Sequence, residues 1–146
     1  MDVGAHHPSF LSNTLRFYLR GWSGINIEPN PNLMKAFAIE RSRDINLNLG
    51  VSNKKGFFSF YELGESTLTS FNYQDAIENT KKHHTKIVNE YKVKVTTLKE
   101  IFETHIGDKQ IDFLSIDTEG LEIQVLEGND WKMYEPKLII IEVNDN

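Results

Sequence analysis

The chain has 146 residues, 39% of them hydrophobic and 25% charged, the length and ordinary soluble-protein balance of one domain with room for a single core. It holds no cysteine, which rules out a disulfide scaffold, a cysteine nucleophile and any Cys-based zinc or iron–sulfur site. With 16 Lys and Arg against 21 Asp and Glu, the net charge of −5 argues against broad binding to nucleic acid or to an anionic membrane, and no apolar run approaches the roughly 18 residues of a membrane span.

Short apolar runs alternate with helix-like stretches along the chain, the pattern of an α/β domain with a mainly parallel sheet. Met1 to Val3 reads as the end of a strand that runs straight into Gly4-Ala5. Asn13 to Arg20 reads as a helix with Leu15, Tyr18 and Leu19 inward and Gly21 as its stop. Gly24 to Glu28 is a short strand. Asn30-Pro31 then opens a helix to about Glu40, with Leu33, Met34, Phe37 and Ala38 on the inner face. Ile45, Leu47, Leu49 and Val51 alternate, which predicts one strand from Ile45 to Val51. Phe57 to Tyr61 is an aromatic-rich strand, Glu62 to Phe71 a loop, Asp75 to Asn89 a weak polar helix, and Lys92 to Thr96 a strand. Thr97-x-x-Glu100 is a capping box for a helix to about His105. Ile111 to Ile116 is a compact strand, Leu121 to Glu127 a helix closed by Gly128, and Leu138 to Val143 the last strand, ending beside Glu142.

Three features fall where predicted strands end. Gly4 and Ala5 lack the bulk to keep a ligand from the backbone of a strand-to-helix turn. Glu28 lies 24 residues after Gly4, close to the spacing at which an acid accepts hydrogen bonds from ribose hydroxyls. Its other reading is a solvated carboxylate or a cap for the next helix. Asp117-Thr118-Glu119-Gly120 closes a strand at the carboxyl edge where open α/β sheets bind ligands. Asp117 there receives a proton, orients a hydroxyl or faces a cationic cofactor, or else Asp117 or Thr118 simply caps the following helix.

Asp2-Val3-Gly4-Ala5, Gly24-Ile25-Asn26-Ile27-Glu28-Pro29-Asn30-Pro31, Val95-Thr96-Thr97-Leu98, Phe113-Leu114-Ser115-Ile116-Asp117-Thr118-Glu119-Gly120-Leu121-Glu122 and Leu126-Glu127-Gly128 resemble, in order and spacing, the FkbM-like S-adenosylmethionine-dependent methyltransferases. The resemblance runs over nearly the whole chain. It implies a Rossmann-like class I methyltransferase fold: a central, mostly parallel sheet with helices on both faces. It implies S-adenosyl-L-methionine as cofactor, held by Asp2, Gly4, Ala5, Glu28, Pro29, Gly50, Val51, Ser52 and Asp117. In that assignment Gly4 and Ala5 lie against the methionine part and Glu28 binds the ribose. Gly50, Val51 and Ser52 lie near the adenine, and Asp117 near the transferred methyl group. The acceptor implied is a hydroxyl of a carbohydrate, polyketide or related small molecule, with Asp117 as general base and Glu119 as second candidate.

The chain departs from the family pattern at Pro8, where a glycine usually stands. It also begins inside its first strand and ends after Leu138 to Val143. The reading is therefore one methyltransferase domain over 1–146, its first strand stubbed and its final strands beyond 146 missing. No signal peptide is visible, which makes the cytoplasm the default expectation. A non-catalytic remnant that binds cofactor or partners without turnover is the alternative. A nicotinamide-binding Rossmann domain ranks last, because Gly4-Ala5-His6-His7-Pro8 lacks the fuller glycine fingerprint.

The remaining candidates have plain readings. His6 and His7 are expected as exposed loop histidines, with contact to substrate or cofactor as the sharper alternative and no metal site foreseen. Lys81-Lys82-His83-His84 is a solvated helix face or a basic spot for an anionic sugar. Glu65 to Phe71 is an ordinary loop or a sugar-binding one. Phe57, Phe58, Phe60 and Tyr61 are expected in core and edge packing. Trp22 should cover the sheet edge, and Trp131 should pack where the last strand begins.

Overall fold

A computed structural model describes residues 1–64 and 68–142. The central sheet has five strands: β1 (Asp2–Val3), β2 (Ile25–Ile27), β3 (Ile45–Leu47), β7 (Phe113–Ile116) and β8 (Leu138–Ile141). They lie in the order β3-β2-β1-β7-β8, every neighbouring pair parallel. From β1 the chain builds outward through β2 and β3. It later returns to the other side of β1 with β7 and β8. Strand order therefore reverses between β1 and β7, the position at which such sheets open a crevice at their carboxyl ends.

The two faces of the sheet are chemically unlike. Val3, Ile25, Ile27, Leu114 and Ile116 point to one side, where they pack with Leu98, Ile101 and Phe102 of α4 (Leu98–His105) and Val125 of α5 (Glu122–Glu127). On the other side the register aligns Asn46, Asn26, Asp2 and Ser115 in a row across four strands. Helices α1 (Leu15–Leu19) and α2 (Pro31–Glu40) cover that side. Phe17 of α1 meets Phe113 at 5.2 Å between ring centroids, and the carbonyl of Phe37 in α2 accepts from Asn46 Nδ2 at 3.3 Å.

Burying such a row is tolerable only when its polar atoms are paired. Asn26 Nδ2 donates to Asp44 Oδ2 at 3.0 Å and Asn46 Oδ1 at 2.9 Å, Thr14 Oγ1 to Asp2 Oδ2 at 2.8 Å, and Asn13 Nδ2 to Ser115 Oγ at 3.1 Å. Arg41 and Asp44 form an ion pair at 2.8 Å with side chains 3% and 1% exposed. The Arg41 guanidinium also donates to the Pro8 carbonyl, Ser12 Oγ and Thr14 Oγ1, which ties the segment after β1 to the sheet. Pro8 thus sits buried over this node, its carbonyl used by Arg41.

Local sequence explains most helix boundaries. Asn30 Oδ1 accepts from Asn32 N at 2.9 Å and Pro31 takes the first turn of α2. Thr97 Oγ1 accepts from Glu100 N at 3.3 Å at the start of α4, while the Glu100 carboxylate turns to Thr96 Oγ1 and Lys55 instead of closing the box. Only Met34 and Phe37 of the four expected inner residues of α2 are buried; Leu33 is half-buried and Ala38 exposed. Helix α1 is shorter than predicted because Asn13 and Thr14 serve the polar row. Leu19 is exposed, and Phe17 takes the inward position. The final strand stops at Ile141, and Val143 lies outside the described residues.

The predicted strand from Ile45 to Val51 is two strands in two sheets. The chain turns where Leu49 N donates to Leu47 O at 3.1 Å and Asn48 Nδ2 reaches the carbonyls of Glu28 and Pro29. Beyond it β4 (Gly50–Val51) joins β6 (Ile87–Thr96) and β5 (Gly56–Leu63) in a second sheet ordered β4-β6-β5. β5 and β6 pair antiparallel, so both exceed the predicted strands, and α3 (Tyr73–Lys82) is correspondingly shorter than the helix expected to Asn89. Residues 81–84 are exposed, a solvated surface. Trp22 stacks on Phe17 at 5.1 Å, and Trp131 Nε1 donates to Leu126 O at the end of α5. No helix among the described residues is long and apolar enough to cross a membrane.

Candidate active site

The cleft lies at the strand-order reversal, built from the ends of β1, β2, β4 and β7. Gly4 N and Ala5 N both donate to Ile27 O at 3.0 Å, which turns the chain sharply out of β1. Gly4 has φ +76°, and a Cβ there would stand 1.6 Å from the Asp117 carbonyl oxygen. Only glycine allows the ends of β1 and β7 to touch in this way. His6, also at positive φ, donates its backbone N–H to Glu28 Oε2 at 2.8 Å. Asn30 N donates to Glu28 Oε1 at 2.8 Å. Glu28 is therefore buried with each oxygen fixed by one N–H and further lone pairs left over. Burial pushes its pKa up to about 7 against the pull of those two N–H groups.

At the β4 end the cleft is apolar. Gly50 carries no side chain because the Phe71 ring fills the space; a Cβ would meet Phe71 Cζ at 2.6 Å. Phe71 and Phe60 stand 4.9 Å apart and, with Val51 and Leu49, form a wall suited to a flat aromatic ring. Thr69 and Ser70 line the same end, held by the Tyr61–Ser70 bridge. Glu65, Ser66 and Thr67 of the predicted hydroxyl-rich loop lie outside the described residues.

At the β7 end the cleft is acidic. Carboxylate oxygens of Asp117, Glu119 and Glu142 lie within 4.8 Å of one another. Burial, a hydrogen bond to Glu142 and the charges of Glu142, Glu119 and Glu122 raise Asp117 to about 8. Burial and the charges of Glu142 and Glu122 raise Glu119 to about 7. Such a trio attracts a cation, metallic or organic. Glu122 does different work: its Oε1 accepts from Thr118 N at 2.8 Å and Thr118 Oγ1 at 2.9 Å, and Gly120 N also donates to it. Burial pushes its carboxyl up, but these bonds outweigh it and hold it low. Glu122 thereby fixes the tight turn in which Glu119 (φ 54°) and Gly120 (φ 104°) are both left-handed.

Of the predicted residues, Asp2, Gly4, Ala5, Glu28, Pro29, Gly50, Val51, Asp117 and Glu119 line this one cleft. Ser52 does not. Its N–H donates to Thr96 O at 2.9 Å and its carbonyl packs on Gly128, behind the cleft. Asp2 is deeply buried, its carboxyl raised chiefly by burial and bonded to Thr14. His6 lines the cleft, and His7 is half-buried, its Nδ1 accepting from Ser9 N and Phe10 N; neither is the exposed loop residue expected. Phe60 lines the cleft as well, beyond the packing role predicted. Glu142 and Leu49 are site residues that sequence reasoning passed over, and Phe71, read there only as the end of an ordinary or sugar-binding loop, stands in the apolar wall. The signal for Glu142 was present, since it too closes a strand at the carboxyl edge.

A parallel α/β sheet whose cleft opens at the strand-order reversal, and runs from an aromatic wall past a buried acid and a glycine turn to an acid cluster, defines a Rossmann-like domain. The chain belongs to the FkbM methyltransferase family: the family described as the methyltransferase FkbM domain matches residues 2–146. No curated protein and no solved structure matches it.

Proposed function

We propose that this chain is an S-adenosylmethionine-dependent O-methyltransferase that acts on a hydroxyl of a carbohydrate or related small molecule. The observation that carries the reading is Glu28: a buried carboxylate, held by His6 N and Asn30 N at 2.8 Å each, facing the same cleft as Gly4 and Asp117. Its spare lone pairs accept the two ribose hydroxyls. The wall of Phe60, Phe71 and Val51 over Gly50 takes the adenine, and the Gly4-Ala5 turn takes the methionine chain. S-adenosylmethionine, when bound, supplies a methyl group on a cationic sulfur. The acid cluster of Asp117, Glu119 and Glu142 favours that cation, and the cation in turn favours the ionised form of the cluster.

Asp117 lines the acid end of the cleft, where it would face the acceptor hydroxyl. With the cofactor bound, the Asp117 carboxylate would take the acceptor's O–H proton, and the cofactor would supply the methyl group to that oxygen. Much of the rate comes from holding acceptor and donor in line, with general-base help from Asp117. Glu119 is the second candidate for the proton. The net charge of −5 and the acidic end of the cleft support a small neutral or sugar acceptor over nucleic acid or an anionic membrane.

Isothermal titration with S-adenosylhomocysteine tests the reading. Micromolar binding by the wild type, lost in Glu28→Ala, supports the nucleoside site and leads to a screen of sugar hydroxyls. No binding by the folded chain refutes the reading. Binding without turnover on any hydroxyl acceptor points to a cofactor-binding remnant.

A further inference from the structure

We infer that Glu62, on β5 of the second sheet, is a positioning residue for the cleft, acting through Asn30 on the Glu28 carboxylate. The inference rests on the ribose role proposed for Glu28. Asn30 is 0% exposed and uses three groups at once. Its N–H donates to Glu28 Oε1 at 2.8 Å, its Oδ1 accepts from Asn32 N at 2.9 Å, and its Nδ2 donates to Glu62 Oε1 at 2.7 Å. The N–H points at Glu28 only while Asn30 keeps this orientation, which its carbonyl, accepting from Met34 N at 3.1 Å, and its side chain, ending on Glu62, hold together.

Glu62 is itself held. Its Oε2 accepts from Asn89 Nδ2 at 2.7 Å and Tyr91 Oη at 2.9 Å, both on β6. Tyr91 Oη accepts in turn from Asn32 Nδ2 at 3.1 Å, so the β5–β6 pair grips the first turn of α2 at two points. Phe60 stands two residues before Glu62 and lines the cleft. Residues two apart on a strand share a face. One stretch of β5 thereby sets both the aromatic wall and the latch on the acid, and it fixes the spacing between the two ends of a nucleoside. Three donors converging on Glu62 exceed what the β5–β6 pairing needs, and one of them, Asn30 Nδ2, comes from outside the pair.

The test compares S-adenosylhomocysteine with its 2′-deoxyribose analogue by isothermal titration on the full chain, with circular dichroism melts as the folding check. Glu62→Ala is expected to weaken S-adenosylhomocysteine binding about tenfold, the effect of one misdirected hydrogen bond to a charged group, and to leave binding of the deoxy analogue within about twofold. Glu62→Gln keeps an acceptor for Asn30 Nδ2 and restores wild-type selectivity. Glu62→Asp keeps the charge but draws it back by one methylene, and it shows the same selective loss should Glu62→Ala fail to fold. Equal weakening for both ligands, or none, overturns the positioning role while the wild type still binds. A wild type that binds neither ligand overturns the nucleoside site and this inference with it.

Discussion

Gly4→Ala tests the junction on which the cleft depends. A Cβ at residue 4 would lie 1.6 Å from Asp117 O and 2.7 Å from Asp117 C, both backbone atoms. Real Cβ contacts do not fall below 3.0 Å, so the end of β7 must retreat by more than an ångström. No rotamer change relieves this, because no side chain is involved. The left-handed backbone at φ +76° adds about 1 kcal/mol for any residue with a Cβ. Overpacking of a rigid contact costs about 1–3 kcal/mol more. The variant should therefore lose about 2–4 kcal/mol, seen as a fall in Tm of roughly 6–12 °C for a domain of this size. Binding of S-adenosylhomocysteine should weaken further than stability alone accounts for, because Asp117 moves with the strand end. A Gly4→Ala protein with unchanged Tm and unchanged affinity would refute the close approach of β1 and β7.

Gly50→Ala should behave oppositely: its Cβ meets Phe71 Cζ at 2.6 Å, the far end of a side chain that can swing away, so Tm should fall by only a few degrees while titration shows binding about tenfold weaker. Arg41→Leu leaves Asp44 buried without its partner and should cost about 3–5 kcal/mol in urea unfolding, and Asp44→Asn added to it should recover part of that loss. The pH dependence of stability has a definite sign. Glu28 and Glu119 at about 7 and Asp117 at about 8 hold protons in the folded chain that the unfolded chain has released above its ordinary 3.8 to 4.5. The folded state thus binds more protons in this window, stability falls as pH rises, and its loss is complete above about pH 8. The drop is spread over the interval from about pH 4 to about pH 8; because Asp117 and Glu119 are half-exposed and screened it should amount to only a few kcal/mol, read as a Tm that falls as pH rises and levels off above about pH 8, and Asp117→Asn should make it shallower.

The sequence made legible the chemistry confined to a few neighbouring residues. Asn30-Pro31 begins α2 and Thr97 begins α4 because a side-chain oxygen and a nearby N–H suffice to define a cap. The Asp117-to-Glu122 turn is just as local, yet its partner was not read: Glu122 answers the N–H groups of the turn, where Asp117 or Thr118 was expected to cap the next helix. The illegible features depend on partners distant in the chain. Alternation at Ile45, Leu47, Leu49 and Val51 fits one strand, but Asn48 is claimed by the Glu28 and Pro29 carbonyls, and the chain changes sheets there. Lys86 to Tyr91 looks too polar for a strand until β5 supplies a partner for it. Arg41, Asp44 and Asn26 look like surface residues one at a time. Only the parallel register that stacks Asn46, Asn26, Asp2 and Ser115 turns them into a buried network.

That register also explains why the cleft is graded from apolar to acidic. Each strand of the main sheet ends at the same edge, and each contributes the residues just past its carboxyl end. Next to β3 comes the turn into β4, which brings Leu49, Gly50 and Val51. After β2 comes Glu28, after β1 the glycine turn, after β7 Asp117 and Glu119, and after β8 Glu142. Strand order therefore converts residues scattered from 2 to 142 into a linear series: aromatic wall, buried acid, open backbone, acid cluster. A ligand with a flat base at one end, a diol in the middle and a cation at the other matches the series in only one direction. Reversal would set the cation against Phe60 and Phe71 and the base against three carboxylates. On the function proposed above, the sheet sets the orientation of the ligand, and the second sheet, through Phe60 and the positioning role inferred for Glu62 on the same strand, sets where along the series it stops.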